Sequence, residues 1–538
     1  MKANLLALAF ALNILSFGGA NAGVEGQDAS VVFQGQRDFC YRIPSLVWTG
    51  KEFVAVSENR SGFNGRRPCS DDGNVDLVMR TSPDGKKWSP ISVVLDNDAL
   101  STAMSDPESS VYDPDYAKVP KADRYMRVGS QTVGYVKDKL IVVFSARFNL
   151  KADCGDKFGC ANSPSNLKTA SARERYFQTT SNDLGTTWSK PSRIHSEIYH
   201  SCIDKAFKDE RVLKDALYPL FADDKTISSS TAANRDSIAA DFTSTRKQQR
   251  SRERNSTENY ESIAQKIGID QNIIKENYRK ISMLFNVRPR PGPGNNTEFE
   301  YRGKTRIFAP GAPLSFYSDD LGETWVCSDT FDVRKGSERQ VASLGDGRLV
   351  MSLRSLGGKK ALSLQYRLFS VSDDGGESWG PDDFIAFKGR KLLPDAIVQG
   401  SIVGIPGATP HEAVSASVAG PSRADSQNSD GPGERERTKR STTERSNLVL
   451  TKIFMRDNKI TAGFRTGCDG ADPVEPSLNI WSGSAGYSAL AHIPQRRSVG
   501  VLFEGSEIIK RKGWKEAIRF MEIPLDRLEG QATEPVCR

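Results

Sequence analysis

Histidine is scarce in this sequence, with only four in 538 residues. His195 and His200 have no third metal ligand at a useful spacing, and the eight cysteines do not show the paired spacings of a zinc site. The residue types present therefore argue against a metal centre and against histidine-based catalysis. We expect no metal ion and no organic cofactor.

The sequence also lacks a strong excess of charge of one sign. Its formal net charge is +7, which is small for a chain of this length. Nucleic-acid-binding proteins usually concentrate far more positive charge, so a nucleic-acid partner is not expected. A modest positive charge mildly favours an anionic ligand through long-range attraction.

Long apolar runs are absent except at the N-terminus. Lys2 is followed by an apolar run and by the small residues Ala20 and Ala22, the pattern of a secretory signal peptide over residues 1–22. The alternative is a membrane anchor, for which the run is short. The pattern predicts cleavage after Ala22, no membrane span afterwards, and delivery outside the cell or to a lysosome-like compartment.

Cysteine is not plentiful, but the number is even and all eight residues follow the predicted signal peptide. In an exported protein this pattern favours disulfide bonds, and free buried thiols are the alternative. Cys154 and Cys160 are close enough in sequence to close a small loop.

The most informative pattern present is a short repeat, S-x-D-x-G-x-[TS]-W. Three complete matches begin at Ser181, Ser318 and Ser372, and a fourth beginning at Ser82 is one residue short. Four of the seven tryptophans lie in these copies. Three matches to five fixed positions are not accidental, so the chain contains a structural repeat.

Each repeat has the chemistry of a hairpin turn. The aspartate and glycine suit a tight turn, the aspartate side chain can accept hydrogen bonds from turn amides, and the tryptophan can pack under a following strand. A run rich in β-branched and aromatic residues precedes each copy. Asp320 and Asp374 are 54 residues apart, the length of a four-stranded propeller blade with its loops. The sequence therefore predicts an all-β propeller.

Two segments interrupt the repeat. Residues 203–285 are charged and helix-like, with Ile263, Ile267, Ile274, Tyr278, Ile281 and Phe285 near helical spacing. We expect this stripe to pack against the propeller rim, with partner binding as the alternative. Residues 407–444 are rich in Gly, Pro, Ser and charge, which predicts a disordered loop. The predicted organisation is a signal peptide 1–22, propeller segments 23–202, 286–406 and 445–538, the insertion 203–285 and the loop 407–444.

Glycosylation sequons begin at Asn59, Asn255 and Asn295. The second and third lie in or beside the insertion, where we expect them to be accessible. An exported chain with accessible sequons is expected to be a glycoprotein.

Together with Tyr41-Arg42-Ile43-Pro44, the repeats resemble those of the sialidase (neuraminidase) family of glycoside hydrolases, where they are known as Asp-boxes. The resemblance covers roughly residues 31–525, apart from the insertion and the loop. It implies a six-bladed β-propeller with a helical insertion, and a retaining exo-α-sialidase acting on terminal α-linked sialic acids of glycoproteins, glycolipids and oligosaccharides. The repeats alone are less specific, because sorting receptors and other glycosidases also carry them.

The resemblance assigns an arginine cluster to the substrate carboxylate, since a planar guanidinium that stays charged matches a carboxylate. Arg42 corresponds to the first arginine of the family, Arg354 to the second and Arg445 to the third. Arg60 resembles a further family arginine that contacts the 4-substituent or the carboxylate of the sugar. Glu504 resembles the glutamate that braces the first arginine.

The family uses a tyrosine nucleophile, which avoids the repulsion between an attacking carboxylate and the substrate carboxylate. Tyr487 matches this position. Glu338, which lies 16 residues before Arg354, resembles its base. Asp71, with Asp72 as the alternative, lies where the family has its acid/base catalyst. Cys40 and Cys69 flank these candidate residues, so a disulfide between them is expected.

One position departs from the family. Where many members have an aspartate or asparagine near the N-acetyl or 4-hydroxyl group of the sugar, this chain has Ser130-Gln131. Asp106, Asp113 and Asp115 are alternative candidates for that contact.

Two other functions remain open: a trans-sialidase with the same residues, and a non-catalytic sialic-acid-binding or sorting-type propeller.

Overall fold

The computed structural model describes the greater part of the chain. The described residues are 29–61, 69, 74–117, 125–149, 174–221, 237–238, 256–286, 290–312, 314–329, 333, 336–355, 365–384, 386–387, 390–391, 393–395, 398–406, 411–419, 446–456, 459–462, 477–506 and 517–529.

The described strands form six blades of antiparallel sheet arranged in a ring, as the sequence predicted. After β1 (Ser30–Gln34), blade 1 consists of β2 (Phe39–Trp48), β3 (Phe53–Ser61), β4 (Asn74–Ser82) and β5 (Ser92–Leu95). Blade 2 consists of β6 (Tyr125–Val136), β7 (Lys139–Asn149), β8 (Glu174–Ser181) and β9 (Ser192–Arg193). In each blade the first strand is the inner strand, which faces the central channel.

Blades 3 and 4 follow the helical insertion. The short strands β10 (Arg290–Pro291) and β11 (Gly294–Asn295) lead into blade 3, which is β12 (Thr297–Tyr301), β13 (Lys304–Ala309), β15 (Ser315–Ser318) and β16 (Val326–Ser328). The short strand β14 (Gly311–Ala312) pairs with β10.

Blade 4 is β17 (Gly336–Gly345), β18 (Arg348–Ser355), β20 (Leu368–Ser372) and β21 (Asp383–Phe384). The short strands β19 (Gln365–Tyr366), β22 (Ala386–Phe387), β23 (Arg390–Lys391) and β24 (Pro394–Asp395) form two small pairs beside it.

Blades 5 and 6 share one long strand. Blade 5 contains β25 (Ser401–Ile405), β26 (His411–Ala419), β27 (Ser446–Arg456) and β28 (Lys459–Ala462). The strand β29 (Ser477–Ile493) pairs first with β27 and then with β30 (Ser498–Ser506), which pairs with β31 (Ala517–Pro524). The N-terminal strand β1 pairs with β31. Blade 6 therefore contains strands from both ends of the described chain, and this pairing closes the ring.

The four repeats form the turns between the third and fourth strands of blades 1 to 4. In each, the serine hydroxyl accepts a hydrogen bond from a glycine amide, at 2.8 to 2.9 Å. The aspartate carboxylate accepts hydrogen bonds from backbone amides further along the turn. The Lys87 and Lys86 amides lower the pKa of Asp84 to about 2, and the Thr187 hydroxyl and amide lower that of Asp183 to about 2. The predicted hairpin chemistry is confirmed.

The repeat tryptophans pack between neighbouring blades. Trp88 of blade 1 lies against Phe520 of blade 6, with ring centroids 5.6 Å apart. Trp379 of blade 4 lies against Phe308 of blade 3, also at 5.6 Å. Because each ring bridges two sheets, the repeat stabilises the ring of blades as well as a single turn.

The helices lie mainly in the insertion. They are α1 (Asn97–Ser105), α2 (Pro114–Ala117), α3 (His195–Ala206), α4 (Arg211–Leu217), α5 (Ser256–Ile267), α6 (Gln271–Asn286) and α7 (Asp526–Glu529), with 3₁₀ turns at Tyr218–Phe221 and Pro494–Arg496. Ile263, Ile267, Ile274 and Ile281 are buried in one cluster with Ile141 and other residues of blades 2 and 3. The predicted packing of this stripe on the propeller is confirmed, although helical structure already begins at His195.

A disulfide between Cys202 of α3 and Cys327 of β16 fixes the insertion to blade 3. The sequence did not indicate this pairing. Lys205, on the same helix, donates to the Cys327 carbonyl at 3.2 Å. The start of the insertion is thus joined covalently and by a hydrogen bond to the propeller.

We expect the double change Cys202→Ser and Cys327→Ser to destabilise the protein. The bond closes a loop of 125 residues, and a native disulfide of this kind contributes about 2–4 kcal/mol, mainly by restricting the unfolded chain. Calorimetry should show melting several degrees lower. An unchanged melting temperature would contradict a structural role for this bond.

Two sequence predictions fail within the described residues. His411–Ala419, inside the segment predicted as a disordered loop, forms β26, in which Val414, Ala416 and Val418 alternate with Ser415 and Ser417 and both faces are buried. The Asn295 side chain hydrogen-bonds Leu46 and Leu490, so a glycan there would break these contacts. Residues 420–445, Asn255, Cys154 and Cys160 lie outside the described residues. No helix among the described residues is long and apolar enough to cross a membrane.

Candidate active site

Four inner strands carry a β-bulge at the same end of the channel. The pairing register shifts between Arg42 and Ser45 in β2, between Gly129 and Thr132 in β6, between Gly336 and Arg339 in β17, and between Ala485 and Ser488 in β29. A bulge bends its strand and redirects a side chain. Three of the four bulges lie at candidate residues named from the sequence, and these bulges aim Arg42, Glu338 and Tyr487 towards one another.

Tyr487, Glu338 and Arg354 form a connected triad. The Tyr487 phenol donates to Glu338 Oε1 at 2.5 Å. Arg354 Nη1 donates to Glu338 Oε2 at 2.8 Å and to the Tyr487 oxygen at 3.2 Å. A carboxylate and a guanidinium therefore both contact the phenolic oxygen, although the three residues come from β29, β17 and β18.

The environment of Tyr487 keeps its phenol protonated in the free protein. Burial raises the pKa of Tyr487 above its usual range, and the negative charge of Glu338 and their hydrogen bond raise it further, while Arg354 acts in the opposite direction. The phenol can act as a nucleophile only if its proton leaves as the new bond forms. Glu338 Oε1 already accepts that proton in a short hydrogen bond.

Glu504 joins Arg42 to the Tyr487 strand. Its two oxygens accept hydrogen bonds from Arg42 Nε at 3.0 Å and from Arg42 Nη2 at 3.1 Å. This paired geometry fixes the plane of the guanidinium group. Glu504 also accepts the Ile43 amide at 2.9 Å and the Tyr487 amide at 3.3 Å. The Arg42 guanidinium lies 5.4 Å from the Tyr487 ring centroid. The structure thus places Arg42 beside the triad.

Arg60 is buried in an ion pair with Glu58. Its side chain is 1% exposed and pairs with Glu58 Oε2 at 2.6 Å. The other Glu58 oxygen accepts the Ser130 amide at 3.0 Å, and Gln131 Nε2 donates to the Ile43 carbonyl at 2.6 Å. In the described residues, Ser130 and Gln131 therefore brace the first two blades against each other.

Of the three alternative aspartates, Asp106 and Asp113 make contacts that the structure describes, and the Asp115 side chain lies outside the described residues. Asp113 is fully buried and pairs with Arg175 at 3.3 Å and Arg193 at 3.6 Å, which gives it a structural role in blade 2. The Asp106 carboxylate accepts the Glu108 amide at the end of α1, which gives it a local turn contact.

The expected disulfide between Cys40 and Cys69 is present. Cys40 lies two residues before Arg42, and Cys69 lies two residues before Asp71. Asp71, Asp72 and Arg445 themselves lie outside the described residues, although Arg445 immediately precedes β27. The disulfide nevertheless anchors the start of the Asp71 segment to the strand that carries Arg42.

Sequence reasoning missed Glu58 as part of this network. Glu58 and Arg60 are two residues apart on one strand, so their side chains lie on the same face. That spacing of opposite charges was the available signal. It does not reveal the third contact, to the Ser130 amide in the next blade.

We expect Gly486→Ala to weaken the site through Glu504. A Cβ at this position would overlap Glu504 Oε2, and the displaced carboxylate would lose its fixed contact with Arg42. The expected result is a drop in kcat/KM for the substrate of on the order of 10–100-fold, since a charge-assisted contact is lost. Gly380→Ala is the matched control, because its nearest neighbour, the Val371 carbonyl oxygen, is 3.7 Å from the added Cβ. Equal activity of the two variants would contradict the bracing role of Glu504.

Sequence comparison finds a curated protein that is similar to part of this chain. A curated sialidase from Micromonospora viridifaciens is 28% identical over 202 residues, which is 37% of this chain and 25% of that protein. No protein-family profile matches the chain.

Several solved sialidase structures are similar to this chain at low sequence identity. The Hadza microbial sialidase Hz136 is 16% identical, with 90% of this chain and 66% of that chain covered and a TM-score of 0.47. The NanB sialidase from Streptococcus pneumoniae is 13% identical, with 94% and 71% covered and a TM-score of 0.49. A leech intramolecular trans-sialidase is 12% identical, with 94% and 72% covered and a TM-score of 0.48.

Proposed function

We propose that this protein is a retaining exo-α-sialidase that hydrolyses terminal α-linked sialic acids of glycoconjugates. The observation that carries the proposal is the 2.5 Å hydrogen bond from the Tyr487 phenol to Glu338, with Arg354 bonded to both. A phenol paired with a carboxylate beside arginines suits a substrate whose reacting carbon bears a carboxylate. An attacking phenol is neutral, so it is not repelled by that group.

Substrate binding is assigned to the arginines. Arg42 and Arg354 take the carboxylate of the sugar, with Arg445 proposed as the third member of the clamp. The paired contacts of Arg42 with Glu504 hold its guanidinium in place before the substrate arrives, which lowers the cost of ordering it. For Arg60, the buried pairing with Glu58 favours an indirect part in shaping the site.

In the first step, Tyr487 attacks the anomeric carbon while its proton moves to Glu338 Oε1. The bond from that carbon to the glycosidic oxygen breaks, and Asp71 gives its proton to the leaving oxygen. The product of this step is a sialyl group bonded to the Tyr487 oxygen. Arg354, 3.2 Å from that oxygen, stabilises negative charge that develops on it.

In the second step, water attacks the same carbon and gives a proton to the Asp71 carboxylate. The bond to Tyr487 breaks, and the phenol regains its proton from Glu338. Two inversions at one carbon leave its configuration unchanged, so the released sialic acid first appears as the α-anomer. The reaction requires no group other than these side chains and water.

A fluorogenic α-sialoside tests the proposal. The purified protein should release the fluorophore together with free sialic acid, and NMR should detect the α-anomer first. With lactose present, free sialic acid should remain the main product. Sialyllactose as the main product would instead favour a trans-sialidase, and the absence of turnover with retained sialoside binding would favour a non-catalytic propeller.

A further inference from the structure

A polar cavity lies on the axis of the ring, at the opposite end from Tyr487. It is partly open, has a volume of about 200 Å³, and is lined by residues of every inner strand in the described structure, among them Leu46, Tyr135, Glu298, Val341, Ile402 and Leu490. Leu46, Val341 and Leu490 follow Arg42, Glu338 and Tyr487 by three or four residues. At about 3.3 Å per residue, this offset places the cavity roughly 10 Å or more from the candidate active site.

The chain that leads into blade 3 crosses the channel between the two sites. Asn295 donates to the Leu46 and Leu490 carbonyls at 2.6 and 2.8 Å and accepts the Leu46 amide at 2.9 Å. Gln340 and Gln399 both donate to the Pro293 carbonyl, at 2.7 and 3.2 Å. Because these bonds tie the segment to several blades, the cavity is a compartment distinct from the one that holds Tyr487.

One polar side chain in this compartment lacks the partners that buried groups normally have, and a carboxyl group lies beside it. Asn296 is 4% exposed, and neither its Oδ1 nor its Nδ2 has a hydrogen-bond partner among the described residues. The Glu298 carboxyl group accepts hydrogen bonds from the Tyr135 amide, at 3.0 Å, and from its own amide, and it forms no ion pair with a described residue. A Cβ on Gly134 would overlap Glu298 Oε1 and approach Asn296, so the two side chains lie around the same point.

The lining indicates the chemistry of an occupant. Glu298 supplies the one carboxyl group of the lining, Asn295 and Asn296 supply amides, His492 supplies an imidazole, and aliphatic side chains form much of the remaining wall. A divalent metal ion is a poor match, because the described residues contain no group of three or more His, Cys, Asp or Glu that would hold one. A volume of this size equals about seven water molecules at roughly 30 Å³ each, which leaves room for a short carbon chain.

We propose that this cavity binds a small organic ammonium ion, whose charged head contacts Glu298 and the Asn296 amide oxygen and whose carbon body lies against Leu46, Val341 and Leu490. A single positive charge matches the single carboxylate. The ammonium group donates charge-assisted hydrogen bonds to the Glu298 carboxylate and to Asn296 Oδ1, and the apolar walls cover the carbon body. The site is independent of the proposed sialidase reaction.

Isothermal titration calorimetry with n-butylammonium chloride tests the site. Burial raises the pKa of Glu298 to about 8, so the titration is run at about pH 9, where the carboxyl is ionised and the amine keeps its proton. We expect one site per chain and binding at least tenfold weaker in Glu298→Gln. Glu300→Gln is the matched control, since Glu300 is exposed and lies two residues further along β12; its binding should equal that of the unchanged protein.

Three comparisons complete the test. Asn296→Ala should weaken binding at least threefold, which provides a second variant if Glu298→Gln does not fold. The neutral molecule 1-pentanol should not displace the amine. Titration with calcium chloride should show no saturable binding that is lost in Glu298→Gln. Absence of amine binding, equal binding by Glu298→Gln and the unchanged protein, displacement by pentanol, or a calcium site would each overturn the proposal.

Discussion

Replacing Tyr487 with phenylalanine is expected to lower kcat for a fluorogenic sialoside by on the order of 10³-fold or more. The change removes the oxygen that attacks the anomeric carbon. It leaves the ring that lies 5.4 Å from the Arg42 guanidinium, so substrate binding should change little. Steady-state kinetics, together with binding of free sialic acid, separates the two effects.

Tyr301→Phe is the matched control for this change. Tyr301 ends β12 in blade 3, and its ring contacts Arg302 and Arg306 without a hydrogen bond through the phenol in the described structure. Its kcat should stay within about twofold of the unchanged protein. A Tyr487→Phe variant that retained a tenth or more of the activity would exclude Tyr487 as the nucleophile.

Glu338→Gln should lower kcat by on the order of 10²–10⁴-fold, because an amide cannot take the phenol proton. The amide oxygen can still accept a hydrogen bond from Tyr487, so the geometry of the site should survive. Burial and the remaining environment would then leave the phenol protonated throughout the reaction. The measurement is kcat and KM for the sialoside, with near-ultraviolet circular dichroism to confirm folding.

Glu323→Gln provides the control for loss of a carboxylate. Glu323 is 75% exposed and pairs only with Lys139 among the described residues, at 3.2 Å, so its removal should leave kcat unchanged. If Glu338→Gln raised KM while kcat stayed the same, Glu338 would act only by orienting Arg354, and a different base would be required.

Much of the fold could be predicted because its main signal is local. In the turn at Asp183, the serine, aspartate, glycine and threonine that define the repeat hydrogen-bond one another within seven residues. Such a motif carries its own structure, and its recurrence at blade spacing indicates a propeller. Arg42, Glu338, Arg354, Tyr487 and Glu504 could be named because their motifs resemble those of a family.

Features that depend on contacts distant in sequence could not be predicted. The bond between Cys202 and Cys327 spans 125 residues, and nothing near either cysteine indicates its partner. Whether the Asn295 side chain is available for glycosylation depends on Leu46 and Leu490 in other blades, because it donates hydrogen bonds to their carbonyl groups. The strand β26 was missed because its alternating small residues resemble a low-complexity segment.

Trapping the intermediate tests the central claim most directly. A 2,3-difluoro sialic acid transfers its sugar to the nucleophile and slows the second step, so the labelled residue can be identified by mass spectrometry of peptides. We predict one sialyl group per chain, on the peptide containing Tyr487, and no labelling of Tyr487→Phe. A label on any other residue, or inactivation without a covalent adduct, would contradict attack by the phenol that Glu338 and Arg354 hold.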